Sequence, residues 1–286
     1  MVFAFRTLNK ILMKNIISII LASFLLFSII GCKKNNEKRA TNLKQEQSNA
    51  LKIDSVSVSD SLIINQLLSM KYSSKMLVFS SDLKTSLRDS IYFDYKEISD
   101  FSKKGLEAFQ QNQRNKFFSE SKNSSKNSLD DIKSQQIWFS ENRMSLRSLQ
   151  NDYLQIQYFY SSYEGGAHGN YGYSERVFDL KNNKKISHKD LTTMPKARLE
   201  ALLKKNIDRN ISKSENSEWQ IKNSDMILVD VIPASQNFYF DTQNLYFHYD
   251  PYEIAAYAAG DIIIPVSWEE LKGTLNKDFA ERMKIK

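Results

Sequence analysis

The sequence predicts an α+β fold with antiparallel sheets, packed helices and two adjacent small domains. Three features support this class: segments that alternate apolar and polar residues, amphipathic segments at helical spacing, and turn sequences between successive strands. With 286 residues, of which 41% are hydrophobic and 12% aromatic, the chain has enough apolar material for such a core.

The first 31 residues predict a secretory signal. Met13-Lys14-Asn15 precedes an uncharged stretch over residues 16–30, which is short for a transmembrane helix. Residues 29–32 read Ile-Ile-Gly-Cys, which resembles the bacterial lipobox, and this resemblance implies that Cys32 becomes the lipidated N-terminus. We therefore expect an exported protein that is lipid-anchored to a bacterial membrane, on its periplasmic or cell-surface face.

Cys32 is the only cysteine, so lipid attachment explains it better than a free thiol in an exported protein does. An ordinary signal peptide with a chance cysteine is the alternative. Met1 and Met13 are both plausible starts. Residues 32–55 are rich in Lys, Asn, Gln and Glu and predict a flexible tether.

The first predicted domain spans residues 56–170. Ser59-Asp60-Ser61 is a possible start of a short helix that ends near Leu68, and apolar spacing of four predicts another helix over residues 83–91. A capping sequence at Ser99-Asp100 predicts a third helix. The remaining elements are a strand at 75–79, an exposed Ser/Asn/Lys-rich loop at 119–131, and strands at 136–139 and 143–147.

The clearest strand covers residues 152–163. Leu154, Ile156, Tyr158 and Tyr160 share one face, while Gln155, Gln157, Phe159 and Ser161 share the other. This period of two predicts a half-buried strand.

The second predicted domain spans residues 171–286. It contains a strand at 173–180, a turn at Asn182-Asn183 and an amphipathic helix at 196–211 with apolar residues four apart. Aromatic runs at 238–240 and 245–249 flank a turn and predict a hairpin. Pro265 predicts that the strand at 262–266 lies at a sheet edge, and Ser267 with Glu270 matches a capping box that starts a helix.

Half of the eight glycines lie in Tyr163-Glu164-Gly165-Gly166-Ala167-His168-Gly169-Asn170-Tyr171-Gly172-Tyr173. Because glycine permits positive φ and close backbone approach, this segment predicts a specially shaped turn between two antiparallel strands. A second motif, over residues 245–260, contains Pro251-Tyr252-Glu253-Ile254-Ala255.

Together the two motifs resemble the extracytoplasmic pair of domains of unknown function found in the anti-sigma factor RsiV and the peptidoglycan deacetylase PdaC. The resemblance covers roughly residues 60–275 by the order of elements, and Ala256 departs from it where proline is expected. It implies an envelope binding module whose ligand is a lysozyme-type muramidase, as for RsiV, or peptidoglycan, as suggested by PdaC.

These motifs contain the candidate site residues. The predicted ligand-binding residues are Tyr163, Glu164, His168, Asn170, Tyr171 and Tyr173. The predicted structural residues are Gly165, Gly166, Gly169, Pro251, Tyr252 and Glu253. If the tyrosines are exposed, they can stack on sugars or anchor a protein; if buried, they are core residues.

We predict no catalytic residue, metal site or cofactor, because His168, His188 and His248 are far apart and no His-x-x-x-His occurs. The net charge of +7 is spread among acidic residues without a basic stripe, so we expect no nucleic-acid partner. The leading hypothesis is a non-catalytic binding module. The alternatives are an envelope hydrolase that uses Glu164, His168 or Glu253, and an inert scaffold.

Overall fold

The computed structural model describes residues 51–126, 129–209 and 221–285. The predicted signal, Cys32, most of the predicted tether and the last residues of the helix expected at 196–211 lie outside these ranges. The described residues belong to one compact unit.

The larger sheet has six strands in sequence order: β1 (Ile53–Ile63), β2 (Leu68–Phe79), β3 (Gln136–Gln150), β4 (Tyr153–Tyr163), β5 (Asn170–Asp179) and β6 (Lys184–Ile186). Neighbouring strands are antiparallel except β2 and β3, which are parallel. A parallel pair needs a long crossover. That crossover holds α1 (Thr85–Ile91) and α2 (Lys103–Ser125).

The smaller sheet has three antiparallel strands: β7 (Phe238–Phe240), β8 (Asn244–Tyr249) and β9 (Ile262–Ser267). It is accompanied by α3 (Lys196–Asn206) and α4 (Lys277–Met283). The predicted α+β class with mostly antiparallel sheets is confirmed. The predicted domain boundary after residue 170 falls at the first residue of β5, which pairs with β4 in the same sheet.

Strand β4 lies between two hydrophobic cores. Leu154 and Ile156 face the core that contains α1 and α2, whereas Tyr153 faces the core shared by the smaller sheet, α3 and α4. Gln155 also faces the second core, where its side chain exchanges hydrogen bonds of 2.8 and 2.9 Å with the backbone of Phe240. The prediction of a half-buried β4 is therefore wrong at Gln155, because the smaller sheet covers that face.

Two predicted elements differ from the structure. The expected helix at 59–68 is wrong: residues 53–63 form β1, in which Val56 and Val58 are buried at a spacing of two and the exposed Ser57 lies between them. The expected loop at 119–131 is wrong over its first part, because α2 continues to Ser125. Ser121 and Ser125 are buried there, so small polar side chains let the helix pack closely.

Other elements are confirmed. They are α1, the β7–β8 hairpin and the position of β9, with Pro265, at a sheet edge. At Ser267 the capping hydrogen bonds form, since its N–H and hydroxyl both donate to Glu270 Oε2. The residues that follow form turns rather than the expected helix. Within the described ranges, no helix has the length and apolarity needed to cross a membrane.

Candidate functional site

The glycine-rich motif forms the connection between β4 and β5. The two strands remain paired as far as Ser162 and Asn170, so residues 163–169 make the turn. Gly165 and Gly166 have φ values of 96° and 99°, a conformation that other residues adopt only with strain. The Gly169 carbonyl accepts hydrogen bonds from His168 Nδ1 at 2.8 Å and from the Tyr257 hydroxyl at 2.7 Å.

A second loop, residues 250–261, connects β8 to β9 and lies against this turn. Asp250 accepts a hydrogen bond of 2.7 Å from the Tyr173 N–H on β5. A Cβ on Gly172 would lie 2.5 Å from Asp250 Oδ2, so only glycine allows the carboxylate to approach the strand. The contact between the two loops therefore depends on a glycine inside β5.

The loop itself has an uncommon backbone at Tyr252. Its φ is 69°, and its side chain is 63% exposed. Left-handed backbone at a bulky residue costs free energy and is concentrated at functional sites. Pro251 precedes it, and the Glu253 carboxylate accepts the Asp250 N–H at 3.0 Å, which closes the turn.

Four rings from the two loops form a surface that we call the aromatic surface, defined by His168, Tyr171, Tyr252 and Tyr257. His168 stacks on Tyr257 with 4.0 Å between ring centroids. Tyr252 and Tyr171 lie 5.5 and 6.2 Å from Tyr257. His168 and Tyr252 are exposed, and Tyr171 and Tyr257 are partly exposed.

The contacts of His168 define its tautomer. A carbonyl oxygen only accepts, so Nδ1 carries the proton that is donated to Gly169. One edge of the ring therefore holds the turn while one face stacks on Tyr257. His168 shapes the backbone and also belongs to the exposed aromatic surface.

A buried charge network lies beneath the aromatic surface. His248 on β8 is 1% exposed and contacts Glu175 Oε1 at 3.2 Å and Asp261 Oδ2 at 3.0 Å. Tyr173 stacks on its ring at 4.7 Å. Arg147 binds the Glu175 carboxylate through two nitrogens, at 2.9 and 2.6 Å.

The hydrogen bonds of this network keep its side chains ionised. Burial alone would lower the pKa of His248, but the hydrogen bonds that its ring donates to the two carboxylates outweigh burial and raise this pKa to about 9. Burial likewise opposes ionisation of Glu175, yet hydrogen bonds to His248 and Arg147 leave its pKa below the usual range. The hydrogen bond to His248 lowers the pKa of Asp261.

Asp250, Glu253 and Asp261 give the loop that carries Tyr252 and Tyr257 a negative charge. Residues 163–175 and 249–261 contain five acidic residues and no lysine or arginine. Of these, Glu164 and Glu253 are exposed, and Asp250 and Asp261 are partly exposed. Partial burial raises the pKa of Asp250, although the Tyr173 N–H donates to it.

The structure divides the predicted site residues into two groups. His168, Tyr171, Tyr173, Tyr252 and Glu253 lie in or beside the aromatic surface. Tyr163 and Glu164 lie elsewhere.

The Tyr163 ring packs near Phe139, and Glu164 accepts a hydrogen bond of 3.2 Å from Ser121 on α2. Asn170 is exposed at the start of β5.

Sequence reasoning missed several residues of this region. Tyr257 lies within the 245–260 motif, which also contains Tyr252. Its position in that motif could have indicated that it belongs to the site. His248 also lies within that motif, but Glu175 and Arg147 lie on strands outside it and gave no such signal.

The contacts of the residues named for a hydrolase do not form one catalytic group. Glu164 is bonded to Ser121, His168 to Gly169, and Glu253 to the Asp250 N–H. No hydrogen bond links the three side chains to one another in the part of the chain that the structure describes. In the same described ranges, no group of three or more His, Cys, Asp or Glu residues is arranged to hold a metal ion.

A known protein family matches part of this region. A family model described as "Protein of unknown function (DUF3298)" matches residues 188–269, which include α3, the smaller sheet and the loop with Tyr252. None of the curated proteins that were compared matches the chain.

Two solved structures are similar. A member of the DUF3298 family from Bacteroides fragilis NCTC 9343 is 20% identical, with a TM-score of 0.65 over 83% of this chain and 98% of that chain. A DUF3298 family protein from Pseudomonas aeruginosa PAO1 is 15% identical, with a TM-score of 0.49 over 80% and 96% of the two chains. The first likeness shows a shared fold, and residues 188–269 of this chain match the DUF3298 family model.

Proposed function

We propose that this protein is an exported, lipid-anchored envelope protein that binds a protein or cell-wall glycan ligand without transforming it. The observation that carries the proposal is the aromatic surface, in which rings from two loops are exposed side by side among carboxylates. Aromatic rings with polar tips supply rigid contact area, which is typical of binding sites for proteins and sugars.

The charge around the surface favours a cationic protein as the ligand. The two loops have exposed and partly exposed carboxylates and no basic residue other than histidine, so a basic partner gains attraction and faster association. The resemblance to the RsiV and PdaC type supports a lysozyme-type muramidase as this partner. Peptidoglycan is the second ligand to test, because exposed rings also stack on sugars.

The rigid base of the surface supports binding. The His248 network joins β5 to β8 and to the start of β9, so the two loops are held in one arrangement before a ligand arrives. A pre-arranged surface loses less conformational freedom when it binds.

Lipid anchoring at Cys32 completes the proposal. The uncharged stretch followed by Ile-Ile-Gly-Cys supports it, and a lipid anchor would hold the folded part at the membrane where envelope ligands occur.

A pull-down experiment tests the ligand. Full-length protein is incubated separately with lysozyme and with purified peptidoglycan, and retention of each is measured at low and at moderate salt. We expect retention of lysozyme that weakens as salt is added, because exposed charges are screened. If neither ligand is retained, the proposed ligands are excluded.

Substitutions then locate the binding surface. Tyr252→Ala and Tyr257→Ala should each reduce retention, by roughly tenfold for a residue at the centre of a contact. Phe93→Ala is the matched control, since Phe93 is 65% exposed and Tyr252 is 63% exposed. Equal loss for Phe93→Ala and Tyr252→Ala would contradict the assignment to the aromatic surface. Cleavage of peptidoglycan that disappears in Glu253→Gln would favour the hydrolase alternative instead.

A further inference from the structure

A separate cavity lies where α1 and the start of α2 meet the end of β2, and none of the residues of the aromatic surface lines it. Its volume is about 640 Å³, within the usual range for small-molecule sites. Apolar and aromatic side chains provide part of the wall: Val78, Phe79, Leu83, Tyr92 and Phe101. Hydroxyl groups and charged residues provide the remainder.

Arg88 on α1 is the most unusual group in this wall. Its guanidinium lies over the Phe101 ring at 4.4 Å, and its side chain is 34% exposed. Its Nε is buried and has no hydrogen-bond partner. Asp89 is 3.8 Å from this nitrogen, which is beyond hydrogen-bond distance.

The two terminal nitrogens of Arg88 also form no hydrogen bond with any residue in the described ranges. An arginine has five N–H donors, and leaving the buried Nε of Arg88 without an acceptor costs free energy. The stacking on Phe101 orients the plane of the guanidinium but satisfies none of these donors. The Arg88 guanidinium is therefore held in a fixed orientation in which a ligand could supply its hydrogen-bond acceptors.

The Ser80 hydroxyl oxygen, which also lines the cavity, is buried without a hydrogen-bond partner among the described residues. Several other polar groups around the cavity already have partners. Lys103 binds Asp54 at 2.7 Å, and the Tyr92 hydroxyl donates to the Leu77 carbonyl at 2.5 Å. Asp100 accepts from Ser102. Lys103 is therefore already paired, whereas the Arg88 side chain has Asp89 at 3.8 Å and makes no hydrogen bond within the described ranges.

The charges around the cavity favour a carboxylate over a phosphate group as the ligand of Arg88. A phosphate group carries nearly two negative charges at neutral pH, and Arg88 alone would face it beside the negative Asp100 and Asp89. A carboxylate carries one charge, and its two oxygens match the guanidinium edge. The apolar wall suits the remainder of such a molecule.

We propose that this cavity binds a small organic carboxylate with an apolar body, such as an N-acylated amino acid or the C-terminus of a peptide. The Arg88 guanidinium holds the carboxylate through two parallel hydrogen bonds while its face rests on Phe101. The apolar part of the ligand contacts Phe79 and Leu83. This site is independent of the aromatic surface and does not rest on the function proposed for it.

Calorimetric titration of the full-length protein in a non-ionic detergent tests the proposal. The probes are N-acetyl-L-leucine, its neutral amide and inorganic phosphate. We expect the acid to bind and to raise the melting temperature, and we expect the amide to bind roughly 10- to 100-fold more weakly because it lacks the charge.

Variants assign the binding to Arg88. Arg88→Met should lose affinity for the acid by roughly 10- to 100-fold, and Arg88→Lys should recover only part of it because an ammonium lacks the planar fork. Arg198→Met, at an exposed arginine on α3, is the matched control and should bind like the wild type.

Several results would overturn the proposal. They are equal binding of the acid and the amide, undiminished binding of the acid by Arg88→Met, binding of phosphate alone, or no binding of the acid at millimolar concentration. The comparison of acid with amide uses the wild-type protein, so it stands even if Arg88→Met does not fold.

Discussion

Because of the buried His248 network, we expect the free energy of unfolding of this protein to fall as the pH becomes alkaline. In the folded state the pKa of His248 is about 9, whereas an unperturbed histidine titrates at 6.5. Because the folded pKa is the higher one, the stabilisation is complete below pH 6.5 and is lost as pH rises through 9. Substitution of His248 by glutamine, which is neutral throughout, removes this dependence.

The magnitude follows from the two pKa values. A tenfold change in proton affinity corresponds to about 1.4 kcal/mol, so the full contribution is about 3 kcal/mol. Linkage then leaves about 2 kcal/mol at pH 7.5 and almost none at pH 9.5. Since His248 is 1% exposed, solvent screening does not reduce this value much.

The assay is urea unfolding of the wild type and of His248→Gln at several pH values from 6 to 9.5. We expect the difference in the free energy of unfolding between the two proteins to shrink by about 3 kcal/mol across this range. Taking the difference cancels groups that both proteins share, including the buried Tyr92 and Tyr153, whose raised pKa values matter only near pH 10 and above.

His188→Gln is the matched control. Burial lowers the pKa of His188, so its contribution is present above pH 6.5 and is lost as pH falls through the lowered pKa. The difference between the wild type and His188→Gln should therefore stay constant above about pH 7.5. A difference for His248→Gln that is equally constant from pH 6 to 9.5 would refute the argument that His248 is held protonated by its two carboxylates.

Three further predictions concern the loops and the N-terminus. In urea unfolding, Tyr252→Gly should be more stable than Tyr252→Ala by about 1 kcal/mol. Both variants lack the ring, but only glycine adopts a φ of 69° without strain. Equal stability of the two variants would contradict the argument for strain at this position. Gly172→Ala should lower the free energy of unfolding by roughly 1–3 kcal/mol, because the added Cβ would lie 2.5 Å from Asp250 Oδ2, and an unchanged midpoint would show that the two loops do not meet as described. Cys32→Ser should lose incorporation of a radioactive or clickable lipid, and continued labelling of that variant would contradict the lipobox assignment.

The elements whose pattern is local could be predicted from the sequence. Leu83, Leu87 and Ile91 recur at helical spacing, and α1 forms there because that stripe packs into the core. The aromatic runs on either side of a polar turn correctly indicated the β7–β8 hairpin.

Elements that depend on distant partners could not be predicted in the same way. Residues 59–63 have a capping-like sequence but form a strand, because β2 offers a complete antiparallel ladder from Ile53 to Ile63. Ser121 looks like a loop residue, yet it lies on a helix and donates to Glu164, 43 residues away. Polarity alone does not show which of these polar residues a tertiary contact will cover.

The same distinction between local patterns and distant contacts applies to the candidate site. The α+β class and the glycine-rich turn between two strands could be predicted without a structure, because they follow from local periodicity and from the backbone freedom of glycine. The sequence also named His168, Tyr171 and Tyr252 through their motifs.

Which of these rings meet depends on contacts between distant parts of the chain. The tertiary structure brought the loop at 250–261 against the turn, separated Glu164 from His168, and placed His248 between Glu175 and Asp261. The physical reason is that burial, charge pairing and ring stacking depend on distances between residues far apart in the chain, and a period of two or of 3.6 residues contains no information on those distances.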